Sequence, residues 1–243
     1  MSWLALWLLG AGLCDLAHSV RPARHLPSAV GAAGTLLFGL LAGLSSGADL
    51  AALPLLAGAV AGWGYLVTFG FGRGRAPMAL AGYAVVTGLL LLIAQQAGAV
   101  GGAFGRWVES TPLPVLAERD PEQVLLLLAV LVAQMSTGNV IVRLVLAATG
   151  TVNPGKGPDA TSTLKGGRLL GPMERVFIVG LGVAGHATAA SIVVAAKGLL
   201  RWPELQARRD AATGPSIDDV TEYFLVGSFV SWLWALGGLV LLA

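Results

Sequence analysis

Seven stretches of mostly apolar residues, each roughly 17 to 25 long, tile this chain, and a helix needs about 20 such residues to cross the hydrocarbon core of a bilayer. In lipid every backbone polar group must be satisfied within its own element, so apolar runs of this length predict helices. The expected fold is therefore all-α, a polytopic transmembrane bundle of about seven spans, at residues 2–20, 28–45, 50–71, 77–98, 122–137, 174–196 and 220–242. Of the 243 residues 56% are hydrophobic and only 12% charged, against roughly a quarter charged in soluble domains. No segment between spans exceeds about 36 residues, too short for a separate soluble domain. The whole chain, 1–243, reads as a single integral membrane domain. Its start, Met1-Ser2-Trp3, lacks the basic region of a signal peptide and predicts a retained first span.

Charge and cysteine usage narrow the function classes. The formal charge is +2, and the Lys and Arg residues lie at span ends rather than in one block, which argues against nucleic acid as a partner. Membrane lipids are the expected partners, with a membrane-protein partner or a homo-oligomer also open. With Cys14 the sole cysteine, the chain has no intrachain disulfide. Counting basic residues on alternate sides gives nine (Arg21, Arg24, Arg73, Arg75, Arg143, Lys156, Lys165, Arg168, Arg175) against six. That bias predicts a cell-membrane protein with an outside N-terminus and a cytoplasmic C-terminus.

Two glycine motifs resemble nucleotide sites. Gly180-Leu181-Gly182-Val183-Ala184-Gly185 is a G-x-G-x-x-G behind an apolar run, but no second strand or further βαβ unit follows it. We expect these glycines to serve a close helix crossing instead. Gly150 to Gly157 approaches a P-loop, yet Gly157 replaces the hydroxyl residue that would hold magnesium. No cofactor is predicted. The pairs Gly39/Gly43 and Gly58/Gly62 have the G-x-x-x-G spacing that lets helices approach in lipid.

The ionisable residues form four groups. Asp15 and His18 lie one turn apart within the first span, and His186 lies within the sixth; intramembrane ionisable residues are costly and so are candidates for function. Asp15 is alternatively expected to pair with Arg21 or Arg24. Cys14 and His18 share a helical face, but with no further ligand pair a metal site is not predicted. Asn139 and Arg143 share a face of 138–148, which reads as an interfacial helix. Arg143, Arg168 and Arg175 flank a glycine-rich loop and form a candidate anion- or lipid-binding site. Lys197, Arg201, Glu204, Glu222 and Tyr223 form a candidate polar cluster, with Lys197 or Arg201 expected to pair with Glu222. Trp3, Trp107 and Trp202 are expected as interfacial anchors.

The run Leu164-Lys165-Gly166-Gly167-Arg168-Leu169-Leu170-Gly171-Pro172-Met173-Glu174-Arg175, then Ala195-Ala196-Lys197, Arg201-Trp202-Pro203-Glu204, Glu222-Tyr223 and Gly227-Ser228, resembles an uncharacterised bacterial multi-pass membrane protein family, a domain of unknown function. That family's pattern has the form G-G-R-x-x-G-x-x-E-R, A-A-K-x-x-x-R-[FW]-x-E and E-Y. The resemblance covers about the last 105 residues, within 136–243; the half 1–121 departs from it, since Asp15 precedes His18 where the family has His before Asp-Phe. It implies a bacterial inner-membrane protein and supplies no activity.

The expected role is non-enzymatic, binding or moving an anionic small molecule or lipid headgroup. The alternatives are a membrane-embedded enzyme of lipid or envelope metabolism, with Glu174 or Glu222 as general base, and a structural subunit of a membrane complex.

Overall fold

The structure is a computed structural model that describes residues 1–72, 74–113, 116, 118–151, 167–186, 188–192, 194–196, 199 and 217–243, excluding some side chains, Arg168 among them. Among the described residues every regular element is helical: α1 (Ser2–Val20), α2 (Leu26–Leu41), α3 (Gly47–Gly72), α4 (Ala76–Leu92), a short 3-10 turn (Ala94–Gln96), α5 (Gly102–Ser110), α6 (Pro121–Met135), α7 (Thr137–Ala148), α8 (Gly167–Val183) and α9 (Ile217–Leu242). Helices α1, α3 and α9 are long and apolar enough to cross a membrane, and α6 with α7 passes the same test as one pair bent by 46°. With 16 and 17 residues, α2 and α4 span only about 24 to 26 Å, short of a bilayer core of about 30 Å. The described residues thus contain fewer than seven full-length spans.

Helix α1 is the axis of the bundle. Trp3 to Ala11 are buried almost without interruption, whereas a helix at the lipid boundary would expose one face. Its partner α2 approaches so closely that a Cβ at Gly31 would lie 2.6 Å from the Gly10 carbonyl oxygen, and one at Gly10 would lie 2.0 Å from Thr35 Oγ1. Small residues permit this backbone contact. Of the anticipated glycine pairs, Gly39 packs on Leu53 and Gly43 on the Gly101–Gly102 backbone, while Gly58 and Gly62 face open space.

Contacts fix the helix directions. At one end the Met1 ammonium pairs with Glu122, Ser2 Oγ donates to Gly98 O at 2.8 Å, and Trp3 Nε1 donates to Asp49 at 2.8 Å. The starts of α1, α3 and α6 therefore share an end, which we term the first end. Trp3 is buried there rather than anchored at a headgroup layer, whereas Trp107 is half exposed on α5; Trp202 lies outside the described residues. At the opposite, second end Arg143 of α7 lies over the Phe71 ring, 5.1 Å from its centroid, at the close of α3. The pair α6–α7 thus runs from end to end as a broken span. Leu144 and Leu146 of α7 are buried in the bundle, so the helix is not the interfacial one expected from Asn139 and Arg143.

The last third departs furthest from the sequence reading. A single span over 174–196 was expected, but α8 stops at Val183. His186 N–H donates to Leu181 O and Gly185 N–H to Gly182 O, with Gly185 at φ +80°; this is a Schellman cap, and only glycine enters that conformation cheaply. The third glycine of the nucleotide-like motif is this cap, and Gly182 packs under Leu239. Arg175 meets Ser231 and Gly182 meets Leu239, so α8 and α9 run parallel. Gln134 near the end of α6 contacts Trp234 and Gly238, so α9 runs toward the first end. Both chain termini lie at that end, contrary to the expected opposite placement.

Candidate functional site at a broken span

Ser136 breaks the α6–α7 span. Its backbone leaves the helical region at φ −120°, ψ −67°, and its hydroxyl lies 2.8 Å from Val132 O and 2.7 Å from Gly12 O. A serine that bonds back to the preceding turn competes with the helix ladder and bends it, and Gly138, two residues on, adds freedom. A break of this kind takes carbonyl groups at the end of α6 and N–H groups at the start of α7 out of the regular helix ladder, and Gln134 O accepts from Arg175 instead.

Opposite charges meet these two ends. Asp15, 5% exposed, accepts from Trp63 Nε1 at 3.1 Å on each carboxylate oxygen and from Thr137 Oγ1 at 2.7 Å. It therefore sits at the positive N-terminal end of α7, where an anion is favoured. Arg175, 1% exposed, donates from Nε to Gln134 O at 2.9 Å, from Nη1 to Ser231 Oγ at 3.0 Å and from Nη2 to Asn139 Oδ1 at 2.7 Å. It therefore sits at the negative C-terminal end of α6. Glycine at 138 makes room for it, because a Cβ there would lie 2.6 Å from Arg175 Nε.

An aromatic set fills the space beside the break. The Tyr83 ring lies 4.9 Å from Trp63, 5.4 Å from Trp7 and 5.6 Å from Trp234, centroid to centroid. Asp15 is reached from the second end by a cleft of about 10 Å³, lined by Cys14, His18, Arg24, Ser28 and Thr68 among others. That is room for about one water molecule.

The sequence candidates are dispersed by this geometry. Asp15 is buried with Trp63 and Thr137 instead of paired with Arg21 or Arg24, while His18 is exposed at the cleft mouth. His186 is exposed at the α8 cap rather than held inside a span. Within the expected anion site, Arg175 is buried with three protein acceptors, so its charge is directed inward, and Arg143 is exposed over Phe71. The Arg168 side chain, and Lys197, Arg201 and Glu204 entirely, lie outside the described residues. Glu222 is exposed and accepts from Thr151 Oγ1 at 3.2 Å, and Tyr223 is half-buried in the same turn. Trp63, Tyr83, Gln134, Thr137 and Ser231 were not anticipated. The one available signal was the small polar run Ser136-Thr137-Gly138 between two apolar runs.

Fold and site together define an all-helical protein compatible with a membrane location, with opposite buried charges at one broken helix. Comparison with protein-family models, with curated proteins and with solved structures gives no match.

Proposed function

We propose that the protein is a multi-pass protein of a bacterial inner membrane that binds and moves a small charged species, namely the proton, with Asp15 as the group that carries it. The observation behind this reading is the Asp15 carboxylate, buried at the start of α7 and reached by a cleft the size of one water. Intramembrane carboxylates facing a bundle interior are typical of proton paths. Broken helices with charges at their free ends are typical of transport sites. The cleft admits water and a proton; a lipid headgroup or organic anion is larger than it. Anionic headgroups fit better at the surface of the second end, where Arg143 and Arg75 lie over Phe71 and Phe69. The resemblance of the last 105 or so residues to a bacterial membrane protein family supports the location. The parallel course of α8 and α9 favours an even number of crossings over seven.

The test is a proteoliposome assay of the full chain, with a pH-sensitive dye inside the vesicles and an imposed pH gradient. Wild-type protein should dissipate the gradient faster than empty vesicles, and Asp15→Asn should remove that excess. Wild-type vesicles indistinguishable from empty ones, or an undiminished rate in Asp15→Asn, would overturn the reading.

A further inference from the structure

The cleft that reaches Asp15 contains a second proton-bearing group. Asp15 and His18 both line it, and they stand one turn apart on α1, a spacing that brings Cβ atoms to about 5–6 Å on one helix face. Asp15 is buried at the inner end, whereas His18 is exposed to solvent at the mouth. Among the described residues Asp15 accepts three hydrogen bonds, from Trp63 and Thr137 at Oδ2 and from Trp63 at Oδ1. An ionised carboxylate offers about four lone pairs, so Oδ1 retains one for a water in the cleft that Asp15 lines. Two hydrogen bonds of about 2.8 Å through one water close a gap of this size, and the cleft has room for about one water.

The other charged or titratable groups on the cleft are Cys14 of α1 and Arg24 in the turn before α2; the lining residues of α2 and α3, Ser28 and Thr68 among them, carry no charge. Cys14 is buried and does not meet bulk solvent. The Arg24 guanidinium is a permanent cation and repels hydronium from the cleft, so a proton enters most readily on a neutral base already at the mouth. Imidazole is such a base, because it accepts a proton on one nitrogen and releases one from the other.

We propose that His18 is the exchange group of the Asp15 site, taking protons from solvent at the second end and passing them through one cleft water to the Asp15 carboxylate. The inference rests on the proton-carrying reading of Asp15 and adds the side from which Asp15 is loaded. In the transfer, a solvent proton binds one ring nitrogen of neutral His18 and gives imidazolium. The N–H bond at the other ring nitrogen then breaks and its proton passes to the water, while one of the water's own O–H bonds breaks and that proton binds Asp15 Oδ1. His18 and the water end neutral, and Asp15 ends as a carboxylic acid. Unloading to the same side is the reverse.

Time-resolved infrared spectroscopy on the full chain in lipid nanodiscs tests this without requiring net transport. After a drop in bath pH the carbonyl stretch of the protonated Asp15 carboxyl grows in, and it is assigned by its loss in Asp15→Asn. His18→Gln, a neutral replacement at an exposed site, should slow this growth at least about tenfold, and imidazole added to the bath should restore the rate. Growth within about twofold of wild type in the folded variant, or slowed growth that imidazole leaves unchanged, overturns the exchange role. An Asp15 band absent at every pH at which the protein is folded overturns both this role and the carrier reading. The proteoliposome flux separates the two otherwise. Flux lost in Asp15→Asn together with fast protonation in His18→Gln removes only the exchange role, whereas flux untouched in Asp15→Asn together with slow, imidazole-restored protonation in His18→Gln removes only the carrier reading.

Discussion

Replacing Arg175 by Met removes a buried charge and three interhelical hydrogen bonds while keeping a long apolar stem in place. The acceptors left behind differ in how they recover. Ser231 can turn its hydroxyl onto its own helix, and the Asn139 amide can rotate, but Gln134 O is fixed by the backbone at the end of α6. Interhelical hydrogen bonds in membrane proteins are worth about 0.6 kcal/mol each on average, so three set a floor near 2 kcal/mol. An orphaned buried carbonyl adds about 1–3 kcal/mol. The expected loss is about 3–5 kcal/mol, a factor of roughly 10² to several times 10³ in the folding equilibrium. Arg175→Lys should lose less, because its three donors serve some of the acceptors but cannot reproduce the planar fork. The assay is reversible unfolding in mixed micelles. If Arg175→Met matches wild type within about 0.5 kcal/mol, Arg175 does not clamp the break and the argument from burial fails.

Two further predictions separate close packing from open surface and fix the chain's course. Gly31→Ala places a Cβ 2.6 Å from a backbone oxygen and should destabilise by about 1–3 kcal/mol, whereas Gly58→Ala meets nothing and should be neutral or gain up to about 1 kcal/mol of helix propensity; equal unfolding midpoints would refute the close α1–α2 contact. Reporters fused before Met1 and after Ala243 should read the same side of the membrane, and opposite sides would refute the parallel course of α8 and α9.

Apolar run length made the helical class legible, because a segment of Leu, Ala, Val and Gly without periodic polarity has no other stable form in lipid. It located α1, α3 and α9 to within a few residues. It failed where the stop signal lies inside an apolar run. Gly185 is one of many glycines, and its role as a helix cap depends on a backbone conformation that composition does not encode. The same limit hid the break at Ser136, since serine occurs within helices and bends them only when its hydroxyl turns back on the preceding carbonyl.

The sequence by itself determined the element type and placed an ionisable residue inside the first helix, with lipid as the expected solvent. Pairing was decided by the tertiary structure. Asp15, Trp63 and Thr137 are separated along the chain by 48 to 122 residues, and Arg175 meets Gln134, Asn139 and Ser231 across three helices. Spacing within one helix predicts neighbours one turn apart, and so it grouped Asp15 with His18 and Asn139 with Arg143. Burial of a charge instead selects whichever partners the packed helices bring within hydrogen-bond reach, because inside the bundle an unpaired charge is far more costly than at the surface.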